Sequence, residues 1–432
     1  MAPNPEETLT HRTVLKGEQQ SVKDSGRSLL AIDGKWYDVT SFIPHHPGGD
    51  IISEFIGKDA TDVFFANHPQ AFDLLKHRKP VGDYVSKKPP SKAMQEYRNL
   101  LKYFVENNYY YPSKAWLLQK WSLNAAILCM VIYGVVYSSS LFVHCLCGLG
   151  LAWFWQRCGF FLHDFQHSQI FRSRFWNRVG GFLCGTVSIG INSDWWREEH
   201  FAHHSLTNTL VEGVGVTDPQ MTEEVWAQND RLLQFFGTSF RKFLVKIQWL
   251  TFIPLAVVFG RPAVIVDAFH LETRWYQWAG LLLHFTWTGF LLSFLPNWTH
   301  IGFMYLFACL GEGVLHVQLI LNHYSKPFHD RDETMNMNFF EWQCETCQNI
   351  ENPEWFDFFH GGLNLHIEHH LFPKLPRSTY RQVQKMVKDI CKRNNIHYDE
   401  VPFFQTLWNT LANLKRISDK ITFKDIIRAM RP

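Results

Sequence analysis

Two pairs of apolar runs decide what this chain can fold into. Residues 116–137 and 141–162 each have about the 20 residues that carry a helix across the hydrocarbon core of a bilayer. A second pair, 276–296 and 298–321, is split at the Pro296–Asn297 turn. Trp275, Trp278 and Trp298 stand near its ends, where indole rings favour the headgroup region. Two weaker runs read as interfacial or buried. Residues 179–191 are Gly-rich and too short to span, and 243–260 carries Lys246 and Pro254 inside with Arg261–Pro262 just after. If 243–260 spanned, the histidine-rich segments before and after it would face opposite sides of the membrane, although they look like parts of one site. Four spans are therefore expected, in an all-α membrane domain over residues 116–400 with a cytosolic histidine-rich cap.

Outside these runs the chain is polar, and the mean hydropathy of −0.17 is an average over unlike parts. Its 42 Lys+Arg against 40 Asp+Glu leave no basic excess, so no nucleic-acid partner is expected. The nine cysteines are irregularly spaced and read as free thiols of a reducing compartment. Cys344 and Cys347 form a CxxC, with no second pair at zinc-ribbon spacing. The N-terminal stretch has no apolar core of a signal peptide, which predicts a cytosolic N-terminus. A polar tail (1–25) precedes residues 26–86, where short apolar runs alternate with Gly and Pro turns as in a small α+β domain. SKKPPSK at 86–92 marks a linker, with residues 87–115 as linker and interfacial segment and 401–432 as a cytosolic C-terminal segment.

Within 26–86, Pro44-His45-His46-Pro47-Gly48-Gly49-Asp50 is followed by His68. Haem held by two histidines needs one imidazole on each face of the iron, from two loops of a compact pocket. His68 with His46, or with its neighbour His45, supplies such a pair, and Gly48 and Gly49 let the backbone turn tightly beside a porphyrin. The runs Trp36-Tyr37-Asp38-Val39-Thr40, His46-Pro47-Gly48-Gly49 and Gly57-Lys58-Asp59-Ala60-Thr61-Asp62 resemble cytochrome b5. The resemblance implies haem b with His46 and His68 as axial ligands, in a domain that carries one electron at a time. Acidic Asp50, Glu54, Asp59 and Asp62 are candidates to meet basic groups of a reductase or of the rest of the chain.

Three histidine clusters stand just beyond the apolar spans: His163-Asp164-Phe165-Gln166-His167, His200-Phe201-Ala202-His203-His204 and His366-Ile367-Glu368-His369-His370. Spacings of three and four place imidazoles on one helix face. Eight such histidines exceed what one tetrahedral zinc uses, so two metals are implied, with iron, zinc and copper all compatible. Asp164, Glu198, Glu199 and Glu368 are candidates to orient the imidazoles.

These boxes resemble the membrane fatty acyl desaturases. Gly361-Gly362-Leu363-Asn364 before the third box, Leu371-Phe372-Pro373 after it and the fused haem domain are similar to the front-end branch of that superfamily. The resemblance implies two non-haem irons held by His163, His167, His200, His203, His204, His366, His369 and His370, with His323 as a ninth ligand. It further implies a cis double bond made in a long-chain acyl-CoA or phospholipid acyl substrate with O2 and two electrons. Those electrons would come from NAD(P)H through a separate reductase such as NADH-cytochrome b5 reductase, at the endoplasmic reticulum membrane. No GxGxxG dinucleotide site occurs in this chain. One departure stands out, since front-end enzymes usually carry Gln where this chain has His366. Other readings are desaturation of a sphingoid long-chain base, hydroxylation, and, outside enzymes, a membrane electron carrier or metal transporter. A carrier leaves the boxes unexplained, and a transporter should hold its ligands near mid-membrane.

Overall fold

The strands of the N-terminal domain are set by a two-residue turn. Leu29–Ile32 (β1) pairs antiparallel with Lys35–Asp38 (β2) so that Ile32 faces Lys35. Asp33 and Gly34 between them both have positive φ, +50° and +73°, the geometry in which an Asp-Gly hairpin matches strand twist. Gly82–Asp83 (β3) returns to pair with β2. Thr61–Asn67 (α1) covers one side, and Leu30, Ile32, Phe55 and Ala60 form the core. The computed structural model describes residues 26–69, 71–86, 89–211, 215–216, 218–221, 225–269 and 273–429. The tail expected at 1–25 and part of the linker, 87–88, lie outside the described residues.

Beyond the haem domain the chain does not run on as a free linker. Ser91 caps Lys92–Glu106 (α2) by accepting the Met94 N–H at 3.3 Å. Met94, Tyr97, Leu101 and Phe104 recur at helical spacing, and all four are buried against the cap.

Lys114–Tyr137 (α3) and Leu141–Gln166 (α4) form the first apolar hairpin, turning at Ser138–Ser140. An eight-residue π-helical stretch, Phe182–Ile189, lies over α4 where an interfacial or buried segment was expected. Ser193–Ser205 (α5) carries the second box. Next come Ser239–Ala268 (α6), Trp275–Leu292 (α7) and Trp298–Ile320 (α8), the last two joined at the Pro296–Asn297 turn. Helix α4 packs directly on α8, where a Cβ at Gly148 would sit 2.3 Å from the Met304 carbonyl oxygen. The cap is built from Arg331–Asn336 (α9), Phe339–Thr346 (α10), His366–Leu371 (α11), Tyr380–Asn394 (α12) and Phe403–Lys420 (α13). It departs from an all-α expectation by two small sheets, one pairing Thr209–Val211 with Gly215–Val216 and His329–Asp330, the other Asn349–Glu351 with Glu400–Pro402. Each strand has only two or three residues, too few to leave a period-two pattern in the sequence.

Four helices among the described residues are long and apolar enough to cross a membrane: α3, α4, α6 and α8. The number matches the expectation, but the membership differs: α6 qualifies and α7, expected as a span, does not. Tyr276, Gln277 and His284 dilute the hydropathy of α7, whereas the polar residues of α6 crowd toward its start. Packing separates composition from path. Helix α7 starts at the cap, where Gln277 donates to the Ser193 hydroxyl of α5 at 3.0 Å, and its Leu291 joins the core of Val131, Val135 and Cys147 at the far end. In α6, Lys246 donates to the Ser418 carbonyl and Gln248 to those of Ala227 and Leu414, all in the cap. Pro254 and Pro262 lie inside it, and Phe269 just past its end lies 5.4 Å from the Trp278 ring in the first turn of α7. Both ends of helix α6 thus pack near the cap, while α7 runs from the cap to the far end of the bundle.

Candidate metal and haem centres

The ends of three helices deliver the boxes to one place. His163 lies in the last turn of α4 with His167 at its C-cap; His200, His203 and His204 share one side of α5; His366, His369 and His370 come from α11. His323 stands three residues past α8. All nine are buried and fall into two groups: His163, His167, His200, His204 and His369, then His203, His323, His366 and His370. Within each group the nearest ring nitrogens all lie within 4.8 Å of one another. Facing Nε2 atoms approach to 3.0 Å for His163 and His369, 3.1 Å for His200 and His204, and 2.8 Å for His323 and His366. The groups adjoin through His204 and His370, whose rings are 4.3 Å apart.

The outer ring nitrogens explain why the inner ones converge. His203 Nδ1 donates to Asp218 at 2.9 Å, His200 Nδ1 to Gln220 at 2.8 Å and His370 Nδ1 to Gln343 at 2.9 Å. His323 Nδ1 donates to the Thr346 carbonyl at 2.9 Å, and His369 Nδ1 lies 3.1 Å from the Tyr380 hydroxyl. Protons held outward leave Nε2 lone pairs pointing inward, as metal-ligating imidazoles require. Burial pushes His167, His200, His204, His323, His366, His369 and His370 well below the ordinary imidazole range, so they are neutral near pH 7. Both nitrogens of His167 and Nε2 of His370 are buried with no hydrogen-bond partner, and a metal would satisfy one nitrogen of each ring. The residues fit two imidazole-bound metals.

The haem pair fits as well. His46 Nδ1 donates to the Gly49 carbonyl at 3.0 Å and His68 Nδ1 to that of Phe64 at 2.8 Å, leaving each Nε2 free. The rings face each other with centroids 6.3 Å apart, room for one iron bonded at about 2 Å to each nitrogen. Gly49 sits at φ +75°, and a Cβ on Gly48 would fall 2.8 Å from the His46 ring, so the glycine pair has the role its sequence implied. Burial lowers the His68 imidazole to about 4.

Other expectations sort differently. Asp164 lies 3.6 Å from His163 Nδ1 and takes a bidentate pair from Arg377. Glu368 turns away from the imidazoles to accept from Asn349 and Tyr398, and Glu198 faces Arg197 and Gly49. The residues that do hold the rings, Asp218, Gln220, Gln343 and Tyr380, are distant in sequence and carry no motif. His316 belongs to neither metal group and packs against Gly260. His144 pairs with His300, and His284 accepts from Arg261. All nine cysteines are free, and Cys344 lies 3.9 Å from Cys391 rather than joining Cys347 in a metal group.

The haem domain is docked beside the metal groups. Arg98 of α2 forms a bidentate pair with Asp62 at 2.6 and 3.0 Å, and Arg331 of α9 binds the Glu54 carboxylate at 2.6 Å. Leu206, two residues past the second box, completes the haem-domain core. The Lys374 charge acts on both His68 and His167; its ammonium sits 5.0 Å over Phe201, itself 5.7 Å from the His167 ring. On the other side a small cavity lined by Phe160, Gln318, Asn322, Leu363 and Asn364 reaches His366.

Comparison with known proteins agrees with this geometry. Residues 138–402 match the fatty acid desaturase family and residues 15–98 the cytochrome b5-like heme/steroid binding domain. A Delta(8)-fatty-acid desaturase of Borago officinalis is 32% identical over 428 residues, covering 94% of each chain. An acyl-lipid (9-3)-desaturase of the same plant is 29% identical over 90% of each chain. A Delta(6)-fatty-acid desaturase of Caenorhabditis elegans is 26% identical over 93% of this chain and 99% of its own. With a haem domain docked on two histidine groups and relatives alike from end to end, this chain belongs to the fatty acid desaturase family, in its front-end branch with a fused cytochrome b5 domain.

Proposed function

We propose that this chain inserts a cis double bond between an existing double bond and the carboxyl end of a long-chain unsaturated acyl group. The observation that carries the reading is the meeting of all three boxes and His323 in two adjoining groups beside the docked haem domain. His163, His167, His200, His204 and His369 would hold one iron, and His203, His323, His366 and His370 the other. Loaded with iron, the site supplies oxygen activation: one methylene pair loses two hydrogens, and O2 with two electrons and two protons ends as two waters. The protein's own share is orientation. Asp218, Gln220, Gln343 and Tyr380 fix the rings, His46 and His68 hold haem b, and burial keeps water from the histidine groups. Electrons reach the haem from NAD(P)H by way of a separate reductase, with haem domain and boxes on the cytosolic face of the endoplasmic reticulum. The test is expression in a host without polyunsaturated lipids, fed defined fatty acids singly. A new double bond on the carboxyl side of an existing one supports the reading, and saturated or unchanged products contradict it. Long-chain bases are fed alongside, and a product only among them favours the sphingoid alternative.

A further inference from the structure

Between the start of α3, the last turns of α4 and the loop before α11 lies a cavity of about 270 Å³. Its rim carries Trp355, 72% exposed, and its wall includes Trp116, Phe160 and Phe161. Four cations face it, Lys120, Arg157, Arg377 and Arg381, against two carboxylates, Glu354 and Asp357. Two of the cations are already matched. Arg377 pairs with Asp164 through both oxygens at 2.6 Å, and Arg381 with Asp357 at 2.6 and 2.7 Å.

Lys120 and Arg157 make no ion pair with a carboxylate among the described residues. Arg157 is 5% exposed, its Nη2 donates only to the Lys120 carbonyl at 3.1 Å, and its Nε is buried without a partner. An uncompensated guanidinium in an aromatic-walled cavity is costly, and an incoming anion removes that cost. Phe160 also lines the smaller cavity that reaches His366, so the two cavities share a wall and an anion held here lies on the metal-group side of the cap.

We propose that Lys120 and Arg157 bind the phosphate of the acyl carrier. The proposal rests on the acyl-lipid reading above and adds the anchoring group. A phospholipid head and coenzyme A both present such a phosphate, and a simple ester does not. Guanidinium and ammonium together suit its oxygens, Arg157 through paired N–H groups and Lys120 as a point charge.

The experiment measures binding to the full-length haem-loaded protein in detergent, with dioctanoyl phosphatidylcholine, oleoyl-CoA and methyl oleate as probes. Arg157→Gln and Lys120→Gln are each expected to weaken the phosphate-bearing probe that the wild type binds by about tenfold. Methyl oleate affinity and the haem absorbance should stay unchanged, and the phosphate probe preferred by the wild type names the carrier. Equal affinities in wild type and variants, equal losses for all three probes, or no wild-type binding of either phosphate probe would overturn the assignment. If Arg157→Gln loses its haem spectrum, Lys120→Gln decides alone. Binding is read without turnover, so an inactive protein that holds phosphate through these residues sinks the desaturase reading only. An active one indifferent to them sinks this inference only.

Discussion

At the residue scale, six of the nine histidines have a partner at their outer nitrogen: His200, His203, His323, His366, His369 and His370. Eight were legible because repeats of three and four on a helix put rings on one face; His323 has no such partner and came only from family resemblance. Asp218 and Gln343, 15 and 27 residues from the rings they hold, left no local signal. Glu368 had the right spacing and the wrong direction, since its carboxyl faces Asn349 and Tyr398 and burial pushes it up to about 7. The tethers lead to two predictions. Gln343→Leu removes the acceptor for His370 and should cut iron retention by about 10- to 100-fold under a chelator challenge, with haem content unchanged. His366→Gln, which puts back the residue usual in front-end enzymes, should leave one of two irons labile to the same chelator and the other retained. Loss of both together would mean that the groups do not act as two sites.

Helices and loops carry the second layer of the account. Apolar run length identified α3, α4, α7 and α8 as candidates, yet it could not rank α6 against α7, because a Pro-containing helix held by the cap reads as apolar as a span. The segment after the haem domain looked like a linker from its Pro and Lys content, but Tyr97 and Phe104 bury one face of it against the cap. Helix α2 instead clamps the haem domain through Arg98. Arg98→Glu should raise the rate of proteolysis between the haem domain and α2, and adding Asp62→Arg should restore protection; the pair is half-buried and worth about 1 kcal/mol. Lys58 of the same interface is lowered to about 8 by burial and by Arg331. Its packed state binds fewer protons than the free lysine, so docking should tighten as pH rises from about 8 toward 10.5 and stay level below 8. Lys58→Met should flatten that slope in the same proteolysis assay, and an unchanged slope would assign it to another group.

On the scale of the whole molecule, the sequence separated a haem domain from a histidine site carried by a membrane domain, and it offered Glu54 and Asp62 among the acidic groups that meet basic ones without naming their partners. Asp62 meets Arg98 and Glu54 meets Arg331, whereas these two arginines and Leu206 look like ordinary helix and loop residues until the haem domain is placed against them. The mild mean hydropathy is explained by the same assembly, a polar domain and a folded cap averaged with apolar helices. Docking in one chain predicts that NADH-driven reduction of the haem supports double-bond formation without added cytochrome b5, and that His46→Ala abolishes it while leaving the non-haem metal in place. The central claim, two imidazole-bound irons beside one haem, is tested most directly by metal and haem analysis of the purified full-length protein. The account predicts two non-haem irons and one haem per chain; zinc in the histidine groups with haem intact would contradict it.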